Sequence, residues 1–333
     1  MMGQGPNKGR KWLNPDLIAK HPAMNIALMA CLKVYEEHKS VAGYIEWLNR
    51  ELNCDCLDKT SREGIFDRLI SSSNESYEEA LAELVYIALW NRLDWQFRKD
   101  PKAGIKTPDF GVWIAPQETF SFFAEATVVR HDQNHHHTFL ELDENRIWVD
   151  GSLVDKLPIV KKPIEQDHRI GMKIAQKEHK YKGMAGDLPL VICIFIRGFE
   201  NNFYMGRFQV ENAIYGQKTI AFPSGEIFFK PKIKATEHNK KACVGIFAFE
   251  EYKHVNSLLV CRERILTRSS DESETGQEDE SFKVAHEFIA YANPLSAWAH
   301  VSNNPLAAAG LPVYGLIDQD QPEPVEPKTI EFY

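Results

Sequence analysis

From Leu188 to Ile196 the chain reads Leu-Pro-Leu-Val-Ile-Cys-Ile-Phe-Ile, with no polar side chain anywhere in the run. A strand that faces water on one side alternates apolar with polar residues. One without alternation has to be covered on both faces. This segment therefore predicts an interior strand of a sheet flanked by helices, and the rest of the chain must supply the layers. With 333 residues, 44% of them apolar and 26% charged, it has the material for one large domain or two ordinary ones.

Helical periodicity appears over residues 23–37, 41–52, 60–70, 76–93, 164–181 and 207–215. In the second of these Tyr44, Ile45, Trp47, Leu48 and Leu52 lie on one side. The fourth is the best defined: Ser76 and Glu79 fit a capping box, and Tyr77, Leu81, Leu84, Val85, Ala88 and Leu89 follow the 3.6-residue period. Glu83 sits beside that stripe, where an isolated helix glutamate is ordinarily solvated. Trp95 to Arg98 read as a first strand. Residues 107–129 then form two β-rich apolar runs around the polar turn Ala115-Pro116-Gln117-Glu118, the pattern of a hairpin.

Each arm of that hairpin carries one carboxylate, Asp109 in the first and Glu125 in the second. A carboxylate among aromatic and β-branched neighbours is costly unless something compensates it. A metal ion would do so, and so would an ordinary hydrogen bond or ion pair.

The helix at 164–181 is basic. Lys173, Lys177 and Lys180 recur at i, i+4 and i+7 and share a face, with Arg169 and Lys182 nearby. Like charges at that spacing repel unless an anion meets them.

Beyond the interior strand, residues 218–230 read as a hairpin and residues 243–250 and 255–262 as strands. Residues 271–280 form an acidic insert, and residues 282–291 resume an ordered pattern. The organisation expected is a flexible arm (1–14), a helical accessory region (15–73), a core (74–197), an extension completing the same domain (198–317, with a disordered acidic loop near 268–281) and a tail (318–333).

The formal charge of −8 and pI near 5.9 argue against a generic polyanion binder but leave room for a local basic groove. No apolar run approaches the roughly 20 residues needed to cross a bilayer, so no membrane association is expected. The basic N-terminus lacks the apolar stretch of a signal peptide. The six cysteines have no disulfide-framework spacing, and Cys193 falls in the apolar strand. Together these point to a reducing, cytoplasmic setting. The Cys54-Asp55-Cys56 pair and His135-His136-His137 raise a zinc reading, but no second ligand pair stands at finger-like spacing and consecutive histidines in a polar segment are ordinarily solvated.

Taken together, helix with Glu83, strand, strand with Asp109, strand with Glu125, basic helix and buried strand resemble the PD-(D/E)XK nuclease superfamily over residues 74–197. Pro108-Asp109 stands for the PD element and Glu125-Ala126-Thr127 for E-x-K. Residues 189–192, 213–216 and 291–294 resemble a group of uncharacterised bacterial proteins with the same core. The resemblance implies an α/β (α+β) restriction-endonuclease-like fold, with a mixed central sheet flanked by helices, an N-terminal helical region and a β-rich C-terminal extension. It implies Mg²⁺ or Mn²⁺ on Asp109 and Glu125, with Glu83 assisting, and hydrolysis of phosphodiester bonds in nucleic acid, DNA first, in a restriction-like or defence role. A homodimer is compatible with it.

Thr127 stands where the family has lysine. Lys177, with Lys173 and Lys180 as substitutes, is the candidate for a lysine moved to the helix. Arg169, Lys173, Lys180 and Lys182 would contact phosphates. If no lysine reaches the carboxylates, the alternative is an inactive nuclease-fold module that binds nucleic acid or a protein partner.

Overall fold

The computed structural model describes residues 12–13, 41–103, 106–114, 119–129, 140–141, 146–149, 152–155, 166–181, 188–196, 207–220, 227–230, 232–235, 241–267, 282–316 and 327–331. It divides into two compact units. One comprises Met1–Val128, Lys177–Ile196 and Lys253–Tyr333; the other comprises Val129–Gln176 and Arg197–Tyr252.

The first unit is built on an eight-stranded mixed sheet with helices, an α+β architecture. Its strands are β1 (Gln96–Lys99), β2 (Phe110–Trp113), β3 (Phe122–Val129), β7 (Leu190–Ile196), β12 (Val255–Thr267), β13 (Phe282–Ala292) and β14 (Val313–Tyr314) in that spatial order, and β15 (Lys328–Glu331) also pairs with β13. The two hairpin pairings β1–β2 and β2–β3 are antiparallel, as are β12–β13 and β13–β15, whereas β7–β12 and β13–β14 are parallel. The uninterrupted apolar run becomes β7, buried at all seven positions between β3 and β12. Its lack of polar alternation is accounted for by that interior place.

Helix α1 (Val41–Leu52) buries the five side chains its periodicity marks. Helix α2 (Lys59–Leu69) starts at Asp58, whose carboxylate accepts the Ser61 amide at 2.7 Å. Helix α3 (Asn74–Arg92) is buried continuously from Ala80 to Trp90, so it is a core helix rather than a surface one. Its Tyr86 hydroxyl lies 2.7 Å from the Ile194 carbonyl and 2.8 Å from that of Leu259, which ties the helix to β7 and β12. Trp90 packs edge-on against Phe110 with ring centroids 4.5 Å apart. The cap is not the box expected at Ser76: Ser73 is the N-cap and accepts the Ser76 amide. Ser76 and Glu79 lie inside the first turns because an earlier serine was available to begin the helix.

The second unit holds β4 (Leu140–Glu141), β5 (Arg146–Val149) and β6 (Ser152–Asp155) as an antiparallel three-stranded sheet. Helix α4 (Gln166–Tyr181) begins in this unit, and its residues from Lys177 belong to the first. Helix α5 (Arg207–Tyr215) follows, with two hairpins. One pairs β8 (Gln217–Ile220) with β9 (Ile227–Lys230), and the other pairs β10 (Lys232–Ala235) with β11 (Lys241–Val244). Residues 129–176, expected within the core at 74–197, group with 197–252, and among the described residues β4, β5 and β6 pair with one another and not with the large sheet.

Three further expectations are corrected. Residues 12 and 13, assigned to the loose arm, are buried. Trp12 packs on Phe66 with centroids 5.2 Å apart, and Asn49 clamps Leu13 through two 2.9 Å hydrogen bonds. The strand expected over residues 243–250 ends early, giving way to 3₁₀ turns at Ile246–Ala248 and Glu250–Tyr252. The tail contains β15, whose Ile330 is buried against the sheet. The helix at 23–37, the acidic insert at 268–281, His135 to His137 and Lys182 lie outside the described residues.

Candidate active site

The register of the β2–β3 hairpin decides where the two carboxylates meet. Phe110 pairs with Ala124 and Val112 with Phe122, so the next step outward sets Asp109 opposite Glu125. Directly opposed residues of an antiparallel pair share a face. Two hydrogen bonds brace them reciprocally: the Asp109 amide donates to Glu125 Oε2 at 3.2 Å, and the Ala126 amide donates to Asp109 Oδ2 at 2.9 Å. Gly111 is required beside them. A Cβ there would stand 2.7 Å from the ring of Phe120.

Helix α4 then delivers cations. Lys177 Nζ lies 2.8 Å and Lys180 Nζ 2.9 Å from Glu125 Oε1. Tyr181 donates its hydroxyl to Glu125 Oε2, and that hydroxyl also lies 3.1 Å from the Thr107 carbonyl. Positions 177, 180 and 181 are spaced i, i+3 and i+4, so one turn of helix presents all three groups to one carboxylate. Thr127, buried on β3, supplies no charge; the positive charge comes from the helix.

A second cluster holds Glu83. The Arg68 guanidinium of α2 grips both of its oxygens at 2.8 Å, a bidentate pair. Lys99 at the end of β1 approaches Glu83 Oε2 at 3.2 Å, Asp100 at 3.1 Å and Asp109 Oδ1 at 3.9 Å. Its ammonium also lies 5.0 Å from the centre of the Phe110 ring. Lys99 therefore links the two clusters, and Glu83 is engaged with cations.

The electrostatics follow from these neighbours. Burial alone would raise Glu83, but the bonds from Arg68 and the charge of Lys99 bring it below the ordinary carboxylate range. Glu125 behaves likewise: burial raises it, and Lys177, Tyr181 and Lys180 more than reverse that. Asp109 goes the other way. Burial, then the negative charges of Glu125 and Glu83, push it up to about 7, and Lys99 and Lys177 offset this only partly. Burial would lower Lys177, but Glu125 keeps it above its ordinary value.

This donor set fits a hard divalent cation. Its ligands would all be oxygen, and Asp109 is a half-buried carboxylate whose neighbouring positive charge does not offset burial and the charges of Glu125 and Glu83, which leaves it raised to about 7. Asp109 and Glu125 are the residues that would hold the ion. Among the described residues no three Asp, Glu, His or Cys side chains already converge as a metal cage. Cys54 Sγ is directed at the Asn91 side chain at 3.4 Å and Cys56 is exposed, both as free thiols.

Of the candidate residues, Asp109, Glu125, Lys177 and Lys180 meet directly, and Glu83 joins them through Lys99. Lys173 and Arg169 are half-buried on the same helix, one and two turns before Lys177. Arg68, Lys99 and Tyr181 escaped the sequence reading. Tyr181 was findable from its spacing to Lys177. Lys99 and Arg68 enter only through the β1–β2 register and the packing of α2 on α3. Among the described residues no helix is long and apolar enough to cross a membrane. Comparison with family models, curated proteins and solved structures finds no match.

Proposed function

We propose that this chain is a metal-dependent nuclease that hydrolyses phosphodiester bonds, with DNA as the first substrate to test. The observation that carries this reading is the meeting of two opposed strand carboxylates with the ammonium of Lys177, 2.8 Å from Glu125. Phosphodiester hydrolysis needs a nucleophilic water and stabilisation of negative charge on the phosphate oxygens. A bound Mg²⁺ or Mn²⁺ supplies Lewis acidity and lowers the pKa of water. Asp109 and Glu125 hold that ion. Lys177 stabilises charge developing on the phosphate or orients the attacking water. Lys180, half-exposed beside it, contacts the phosphate backbone, which carries affinity rather than sequence choice. Arg68 and Lys99 keep Glu83 ionised and the floor of the site assembled.

The test is incubation of the purified chain with linear and circular DNA, with and without Mg²⁺ or Mn²⁺. Cleavage is expected only with metal, with losses of about 10²-fold or more in Asp109→Ala, Glu125→Ala and Lys177→Ala. Equal activity in those variants sinks the reading.

One observation favours a second reading, an inactive nuclease-fold module that binds nucleic acid or a protein. Each oxygen of Glu125 already accepts two donors from the chain itself. That reading expects no cleavage, and salt-sensitive DNA binding that survives loss of both carboxylates.

A further inference from the structure

Glu125 is wholly buried and carries two donors on each oxygen. Oε2 accepts the Asp109 amide and the Tyr181 hydroxyl, and Oε1 accepts Lys177 and Lys180. A carboxylate offers about four lone-pair sites, so a metal ion cannot be added to it unless a donor leaves. What holds each donor decides which one goes. The Asp109 amide is fixed by the hairpin register and its brace to Ala126. The Tyr181 side chain is buried, its hydroxyl beside the Thr107 carbonyl. The two lysines end long flexible stems, with side chains 24% and 46% exposed.

We infer that Lys177 and Lys180 are a built-in counter-ion of Glu125, which a divalent cation displaces from Oε1 and which then turns to the phosphate groups of an anionic ligand. This rests on the reading of Asp109 and Glu125 as metal ligands. In the metal-free chain the lysines keep a buried carboxylate neutralised, at the expense of metal affinity. A phosphate that recruits the ammonium groups vacates Oε1, so metal and polyanion favour each other's binding. The coupling is reciprocal by thermodynamic necessity.

The experiment is calorimetric titration of MnCl₂ into the full chain, wild type against Lys177→Met and Lys180→Met, with thermal melts in chelator and in Mn²⁺. Removing either lysine is expected to tighten Mn²⁺ binding about 5-fold or more. Lys177→Met is also expected to melt lower in chelator and to gain more from Mn²⁺ than wild type does. Lysines with only a structural role would lower the melt without tightening Mn²⁺. Unchanged or weaker Mn²⁺ affinity in both variants overturns the inference, as does no Mn²⁺ binding in any of the three. Should Lys177→Met fail to fold, Lys180→Met decides by the same criterion, since its side chain is the more exposed. Glu125→Gln is expected to bind Mn²⁺ more weakly than wild type. DNA cleavage is scored separately: its absence alongside lysine-competed Mn²⁺ binding removes the nuclease reading and leaves the counter-ion standing.

Discussion

Asp109 and Glu125 sit opposite each other in one hairpin and titrate in opposite senses, because cations surround one more closely than the other. Asp109 is raised to about 7 by burial and by Glu125 and Glu83, against Lys99 and Lys177. The folded chain therefore binds a proton there that the unfolded chain has released, and stability falls as pH rises from about 4 to 7. In chelator, Asp109→Asn should abolish that slope. It should gain on wild type across the window by roughly 2–4 kcal/mol, measured by denaturant unfolding at several pH values. An unaltered slope would mean that Asp109 is not the group responsible. Glu125 is lowered, so its contribution is present above the ordinary carboxylate range and is lost as pH falls through its folded value. Glu125→Gln should accordingly be destabilising at neutral pH. Tyr181→Phe removes one donor to the buried Glu125 and should cost about 1.5–3 kcal/mol, read from the same unfolding curves.

Among the elements, the β2–β3 hairpin and helix α4 set the site, and helices α2 and α3 set its floor. The hairpin has little slack. A methyl at Gly111 must push the Phe120 ring from 2.7 Å, so Gly111→Ala should lose about 1–3 kcal/mol. Phe120→Ala in the same chain should restore part of that loss, which a double-mutant cycle measures. Glu83 is the shared anion of Arg68 and Lys99, whose side chains are 33% and 7% exposed. Glu83→Ala leaves Lys99 buried with its main counter-charge gone and should cost about 3–5 kcal/mol. Arg68→Ala, whose partner retains Lys99, should cost less; the reverse ranking would contradict this account of the cluster.

At the scale of the whole molecule, the large sheet is assembled from chain segments far apart in sequence. β7 enters from beyond the second unit, β12 and β13 arrive later, and β15 closes part of the β13 edge from near the C-terminus. An uncovered edge strand offers unpaired backbone groups to other chains. Truncation after residue 326 should lower the melting temperature by several degrees and increase light scattering on heating, through the lost burial of Ile330 and the bared edge. No change in either would show that β15 adds little.

The elements themselves were legible in local pattern. The β7 run, the buried side of α1, the period of α3, the β2–β3 and β8–β9 hairpins and the basic helix are all local periodicities or turn signals, and they form for local reasons. The carboxylate pair could be read as well, because one hairpin register connects Asp109 to Glu125. What joins them could not. Whether Lys177 points at Glu125 depends on where α4 returns to the sheet after residues that group elsewhere. Arg68 and Lys99 reach Glu83 through the packing of α2 on α3 and the pairing of β1 with β2. The burial of Trp12 and the pairing of β15 depend on partners dozens of residues away in the one case and about forty in the other. Sequence by itself determined which residues could carry charge into the interior. The tertiary structure decided which charges meet, because an ion pair is a matter of a few ångströms and local pattern does not carry distances between segments far apart in the chain.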